Sequence, residues 1–406
     1  MEAIDLTILA GAGMVYAVAS ARLGQTILTP AIFFLSAGIV FGDAVLGWFV
    51  IEPNGATLRL IAEATLTLVL FSDASRIDLR LLRQEIAMPA RLLGIGLPLT
   101  IVAGAAAALL ILPGLAVVEA ALLAIAVAPT DAALGQAVVS DERVPSRIRQ
   151  GLNVESGLND GLCVPLLLIA LALASAEGGA ETEPVRLVLE EIGFGVVGGL
   201  IAGVLGAFAL RYGRRHRWVS GPWAPLVPVA AVGMAYGLAT VLHGSGLIAA
   251  FTAGLAFGTI ATRAEEETAE SIETIGNGFS AATFFIFGAV FVPLVLELFS
   301  PAMFVFVIVT LTVARMVPVA LALLGTGART PTVGFVGWFG PRGLASIVFA
   351  ILILQAEPIP SIEVVLATIS LTVVVSVYAH GVTALPLTDR YVAWVRTSPR
   401  ALYSER

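Results

Sequence analysis

Residues 128–160 read APTDAALGQAVVSDERVPSRIRQGLNVESGLND, and the architecture of the chain turns on them. A short charged loop (Asp141, Glu142, Arg143, Arg147, Arg149) separates Thr130 and Asp131 from a second polar set, Asn153, Glu155, Ser156, Asn159 and Asp160. The flanking sequence is strongly apolar. A carboxylate near the middle of a membrane helix costs roughly 2.5–3.5 kcal/mol on insertion scales, so an ionisable group at that depth is a functional candidate by default. If 147–172 is one helix, positions four apart share a face, which stacks Ser156 beneath Asp160 and Glu155 beneath Asn159. Upstream, 115–140 is long enough to span, yet Pro129 removes a backbone donor and obstructs the carbonyl one turn earlier. The spacing predicts a helix broken just before Thr130 and Asp131. A break inside a bilayer is tolerated only where it is buried in protein or lines a polar cavity. Free carbonyls, a hydroxyl and carboxylates in such a place suit a hard cation such as Na+.

Composition sets the class. Hydrophobic residues make up 58% of the 406 and charged residues 13%, and the mean hydropathy is +0.97, whereas soluble domains are about 45–50% apolar. An all-α polytopic membrane protein is expected. The single cysteine, Cys163, excludes an internal disulfide and reads as a small buried hydrophobe. A net charge of −7, with arginines scattered through loops, argues against nucleic acid as a partner. The first segment, with Glu2 and Asp5 at its start and no basic residue before it, reads as a retained helix, not a cleaved signal.

At about 20 residues per span, thirteen helices are expected: 4–22, 27–49, 57–73, 87–112, 115–140, 147–175, 186–211, 222–242, 245–262, 272–297, 301–324, 331–355 and 361–386. They form a single transmembrane domain over 1–388, with a short cytoplasmic tail at 389–406. Eighteen of the 22 basic residues, all arginine, fall in the odd-numbered loops and the tail. Positive loops stay in the cytoplasm, so the N-terminus is expected outside and the C-terminus inside. The opposite face is acidic, with Glu177, Glu181 and Glu183. Helices 1–6 and 8–13 are equal in number and opposite in orientation, as in inverted-repeat carriers. That symmetry pairs helix 5 with helix 12, and helix 12 holds Gly340-Pro341-Arg342-Gly343, a mid-span Pro beside a charge. Two discontinuous crossing helices, 5 and 12, are therefore expected.

At these residues the chain resembles the monovalent cation/proton antiporters of the NhaP and sodium/proton-exchanger type. The resemblance rests on Ala128-Pro129-Thr130-Asp131, on Asn153-Val154-Glu155-Ser156-Gly157-Leu158-Asn159-Asp160, on Arg315, and on Gly340-Pro341-Arg342-Gly343. Phe71-Ser72-Asp73 through Asp78-Leu79-Arg80 is a looser match. The resemblance implies that Asp160 binds cation and proton in competition, with Thr130 (through its main chain), Asp131 and Ser156 completing the cation's oxygen shell. It also implies that Glu155 pairs with Arg315, that Asn159 holds the broken-helix region in place, and that Arg342 compensates half-helix ends in helix 12. It further implies a homodimer with scaffold helices at about 1–73 and 186–297, and a mobile core at about 87–175 and 301–386. Gly157 and Gly161 depart from the family pattern and are expected to loosen helix 6, and a long cytoplasmic tail is missing.

Desolvation disfavours a charged Asp and a nearby cation favours it, so proton and cation exclude one another at such a site. Because the residue before Asp160 is the neutral Asn159, one-for-one, electroneutral exchange of Na+ (alternatively Li+ or K+) for H+ across the cell membrane is expected, with no cofactor. Should Asp131 also titrate, exchange becomes electrogenic.

Other readings of the same residues stay open. Asp131 can instead neutralise the positive N-terminal end of a half-helix, and Ser156 can serve as a packing hydroxyl. His216, His243 and His380 are candidate pH sensors. Glu265, Glu266, Glu267, Glu270 and Glu273 read as a solvated face before helix 10. An intramembrane aspartyl protease using Asp131 and Asp160 would need a Gly-x-Gly-Asp setting, which Gly157-Leu158-Asn159-Asp160 lacks. A passive channel would need pore loops or carbonyl rings.

Overall fold

Each of the thirteen expected stretches carries helix in the computed structural model, which describes residues 3–24, 26–51, 55–77, 87–131, 134–177, 184–261, 263–356 and 359–397; no strand occurs among them. Glu2, Asp78-Leu79-Arg80, Arg83, Glu181, Glu183, Arg400 and Arg406 lie outside these residues. Eight described helices are long and apolar enough to cross a membrane. Four apolar ones are shorter: Pro30–Phe41, Val117–Ala126, Gly246–Ile260 and Leu344–Leu354. Large apolar side chains such as Val18, Leu110 and Val241 are 85%, 86% and 76% exposed, which suits hydrocarbon surroundings. This is a multi-pass membrane protein.

Both expected breaks are present. The fifth stretch is helical over the ten residues of Val117–Ala126, non-helical at 128–131, and helical again at Gln136–Val139. At 1.5 Å per residue that first piece is about 15 Å, half the bilayer core. The twelfth is split into Thr330–Trp338 and Leu344–Leu354, with Phe339–Gly343 non-helical between them. Two further irregularities have no counterpart in the sequence reading. Leu92–Gly96 forms a π-turn inside the fourth stretch. Pro98, four residues after Gly94, removes one ladder donor and crowds that carbonyl, and a widened turn absorbs both. In the eleventh stretch the helix is interrupted at Thr312 (φ −111°, ψ −83°), between Pro301–Leu311 and Val313–Ala322. The Thr312 hydroxyl donates back to the Ile308 carbonyl, a bond that bends helices.

The chain divides into two compact units. Residues 1–59, 85–159 and 281–406 form the first. Its core gathers Met88, Leu92, Ile148, Leu152, Val319, Phe335 and Tyr391, with the Phe335 and Tyr391 rings stacked at 4.0 Å between centroids. Within it, buried Glu119 accepts the Ala116 and Ser361 amides, each at 2.8 Å. One carboxylate thus ties the start of Val117–Ala126 to the start of Ile362–Thr397.

Residues 60–84 and 160–280 form the second unit. Pro184–Arg215, Leu226–Val241 and Gly246–Ile260 pack through small residues, with Ala202, Ala235, Ala239, Ala249 and Ala253 all buried. Small side chains let backbones approach closely, the usual basis of helix association in lipid. Here the Tyr236 hydroxyl donates to Glu63 at 2.6 Å, and Arg76 forks onto Glu273. One member of the acidic run is thereby charge-paired.

Candidate functional site

The fifth and twelfth stretches, both interrupted and both in the first unit, brace one another. Val117–Ala126 ends at Val127, and Pro129, with no N–H, cannot continue its ladder. The exposed carbonyls are taken by the fully buried Arg342, whose Nη1 donates to Ala128 O and, at 3.1 Å, to Pro129 O. Reciprocally, the Asp131 amide donates to Pro341 O at 2.8 Å, and Asp131 Oδ2 accepts the Leu344 amide at 2.9 Å, the first helical residue of Leu344–Leu354. A cation therefore sits on the negative end of one half-helix and an anion on the positive end of the other. Each of these charges is supplied by the opposite stretch: Arg342 reaches the carbonyls that follow Val117–Ala126, and Asp131 the start of Leu344–Leu354.

Two glycines make the crossing possible. A β-carbon on Gly343 would lie 2.9 Å from Asp131 Cβ and 2.7 Å from Leu134 Cδ1. One on Gly340 would lie 2.6 Å from Arg315 Nε. All four residues of Gly340–Gly343 are thus accounted for by contacts.

Alongside runs the 32-residue helix Ser146–Glu177. Its Glu155 meets Arg315 in a two-pronged pair at 2.5 and 2.9 Å, both side chains 2% exposed. A planar fork on a carboxylate is the strongest such geometry. One residue on, Ser156 Oγ is 3.0 Å from Thr130 Oγ1, which also accepts Asn159 Nδ2 at 2.6 Å. Thr130, Ser156 and Asn159 are all buried. Asn159 Oδ1, equally buried, has no hydrogen-bond partner among the described residues, so an acceptor oxygen is left over beside two hydroxyls.

Asp160 follows directly on this helix, one turn beyond Ser156, as the first residue of the second unit, and is buried. In that unit the Phe251 ring packs onto Gly161, where a β-carbon would come within 2.7 Å of Phe251 Cγ. The glycine admits an aromatic side chain.

The first unit thus brings together Thr130, Asp131, Glu155, Ser156, Asn159, Arg315 and Arg342, with Asp160 next along the chain. Ser376 and Thr383, absent from the sequence reading, and His380, named there only as a candidate pH sensor, complete the crossing. Ser376 Oγ accepts the Arg342 amide at 2.6 Å, and His380 and Thr383 follow it at helical spacing. Their signal was a polar stripe at i, i+4 and i+7 inside an otherwise apolar span.

Two half-length helices that cross at capped, charge-compensated ends, in an all-helical membrane chain, define the broken-helix class of membrane carriers. The chain belongs to the sodium/hydrogen exchanger family, whose profile, described as "Sodium/hydrogen exchanger, transmembrane", matches residues 8–390. Among relatives, the K(+)/H(+) antiporter NhaP of Alkalimonas amylolytica is 27% identical over 365 residues, covering 86% of this chain and 61% of the relative. The Na(+)/H(+) antiporter of Schizosaccharomyces pombe is 27% identical over 247 residues, 57% of this chain and 53% of the relative. The chain thus spans somewhat over half the length of these relatives. The solved structure of the sodium proton antiporter MjNhaP1 from Methanocaldococcus jannaschii at pH 8 superposes with a TM-score of 0.75 at 20% identity, over 92% of this chain and 97% of that one. That likeness establishes a shared fold.

Proposed function

We propose that this chain exchanges a monovalent cation for protons across a membrane, one for one, by competition for Asp160. The observation that carries the reading is the buried oxygen cluster of Thr130, Ser156 and Asn159, of which Ser156 and Asn159 lie within one turn of Asp160 along their own helix. Hydroxyl, amide and carboxylate oxygens suit a hard monovalent ion. A carboxylate out of water holds either a proton or a cation, and occupancy by one expels the other. Asp131 contributes to the cation's shell from its place on the Leu344 amide, and Arg342 and the Glu155–Arg315 pair fix the surroundings.

Electroneutral stoichiometry is favoured by the neutral Asn159 and by Asp131, whose carboxylate is committed to a half-helix N-terminus. The same bond argues against an acid dyad of Asp131 with Asp160, and so for a transporter over a protease. Na+ is the first candidate ion and K+ the second, the latter favoured by the relative named as a K(+)/H(+) antiporter. The active form is a homodimer through helices at about 1–73 and 186–297, with its N-terminus outside the cell membrane and its C-terminus in the cytoplasm.

The test is exchange by purified protein in liposomes holding a pH dye. A pH gradient is imposed, Na+, Li+ or K+ is added outside, and the run is repeated with Asp160→Asn and with the membrane potential clamped. Dissipation by one ion, independent of potential and lost in Asp160→Asn, is the expected result. Normal exchange by Asp160→Asn would remove that residue from the centre, and exchange by no ion would end the antiport reading.

A further inference from the structure

Among the described residues of the break in the twelfth stretch, Gly340 bonds back to Trp338 O at 2.8 Å and Leu344 to Asp131. Arg342, whose guanidinium reaches the other broken helix, has its own amide held from elsewhere. Ser376 Oγ accepts it at 2.6 Å. One turn on, His380 Nε2 lies 2.9 Å from Trp338 O, the last helical residue before the break, and its ring stacks on the Trp338 indole at 4.9 Å. A carbonyl only accepts, so the tautomer with its hydrogen on Nε2 donates to Trp338 O. Nδ1 faces Ser376 itself, its carbonyl oxygen at 2.9 Å and its Oγ at 3.2 Å. Nearly one further turn on, Thr383 Oγ1 accepts Trp338 Nε1–H at 3.0 Å.

Ser376, His380 and Thr383 occupy i, i+4 and i+7 of Ile362–Thr397 and form one stripe. Ser376 and His380 are buried. The stripe takes hold of the interrupted span at the start of its gap and within it: His380 and Thr383 at Trp338, Ser376 at Arg342. Among the described residues none of the three hydrogen-bonds with Thr130, Ser156 or Asn159.

We propose that Ser376, His380 and Thr383 are positioning residues, a rail on the last helix that fixes the Trp338–Arg342 gap and so determines where the Arg342 guanidinium meets the Ala128 and Pro129 carbonyls. The role deepens the antiport reading and rests on it for its effect on transport. Release of the rail lets those carbonyls shift next to Thr130, which weakens cation binding without removing an ion ligand.

Two readouts test it on the full chain. Ser376→Ala and His380→Ala are expected to raise the half-saturating cation concentration about tenfold, the ratio for one to two net hydrogen bonds, with maximal rate and elution profile little changed. His380→Gln, which keeps an N–H donor for Trp338 O, is expected to recover most of the loss. Independently of transport, hydrogen–deuterium exchange in detergent is expected to quicken in peptides covering 339–343 in both alanine variants. Wild-type exchange rates together with an unchanged half-saturating concentration would overturn the proposal. Faster deuterium uptake in a protein whose wild type moves no cation would uphold the rail and reject antiport. Should His380→Ala fail to fold, Ser376→Ala, the loss of one hydroxyl, decides alone.

Discussion

Replacing Glu155 by leucine leaves the Arg315 guanidinium buried without its counter-charge. Both groups are 2% exposed and joined at 2.5 and 2.9 Å. Arg315 Nε has no hydrogen-bond partner among the described residues and sits against Gly340, so Glu155 supplies the hydrogen bonds of the two terminal nitrogens. Breaking such a buried pair costs about 3–5 kcal/mol, because a desolvated charge is stranded, whereas replacing both partners with apolar groups of similar volume is often neutral. Glu155→Leu and Arg315→Met are therefore each expected to destabilise by roughly 4 kcal/mol, near a thousandfold in the folding equilibrium. The double variant is expected to cost far less than the two combined, a coupling of about 3 kcal/mol or more. Reversible unfolding in mixed micelles, followed by the fluorescence of the five tryptophans, gives all corners of the cycle. A single variant costing under about 1 kcal/mol, or a double variant equal to the combined singles, would refute the assignment of a desolvated pair.

Three further outcomes are expected. Gly343→Ala drives a β-carbon into Asp131 and Leu134 and should cost about 1–3 kcal/mol, while Gly334→Ala, with nothing within 4 Å of the new carbon, should stabilise its helix by up to about 1 kcal/mol; equal melting shifts would contradict the close approach. Asp131→Asn keeps an acceptor for the Leu344 amide and loses only the charge, worth up to about 2 kcal/mol at a helix end, whereas Asp131→Ala also loses the cap, about 1 kcal/mol more; an alanine variant as stable as the asparagine one would remove the capping role. In the loop before Ser146, the hydrogen bond from Arg143 holds the Asp141 carboxyl below its usual range. A lowered folded value contributes stability that is present above the ordinary carboxylate range and fades as pH falls through it. The melting difference between wild type and Asp141→Asn should therefore shrink from pH 6 to pH 3, and a difference that grows on acidification would reverse the sign of the argument.

The breaks were legible because proline and glycine act locally: Pro129 and Pro341 disrupt a ladder whatever surrounds them. The grouping of Glu155, Ser156, Asn159 and Asp160 was legible because helical spacing alone places them. What spacing could not supply was reach. Arg342 meets Ala128 across 214 positions and Asp131 meets Leu344 across 213, so that each charge serves the other stretch's helix end is visible only in three dimensions. Glu119 drew no notice in the sequence, and its tie to Ser361, 242 positions on, is visible only in the structure. The Thr312 interruption carries neither Pro nor Gly, and its hydroxyl, turned onto its own helix, gives no pattern a sequence could betray.

Reciprocal capping also constrains how the protein is made. When the first broken span leaves the ribosome, the residues that will cover its open carbonyls and accept its aspartate do not yet exist. At about 5–20 residues per second, the 213 residues from Asp131 to Leu344 take on the order of 10 to 40 s to synthesise. For that interval the uncapped turn has to be sheltered by the insertion machinery, by water or by lipid headgroups. A lesion in Gly340–Gly343 therefore acts on a segment synthesised long before it, by withholding the cap that segment awaits.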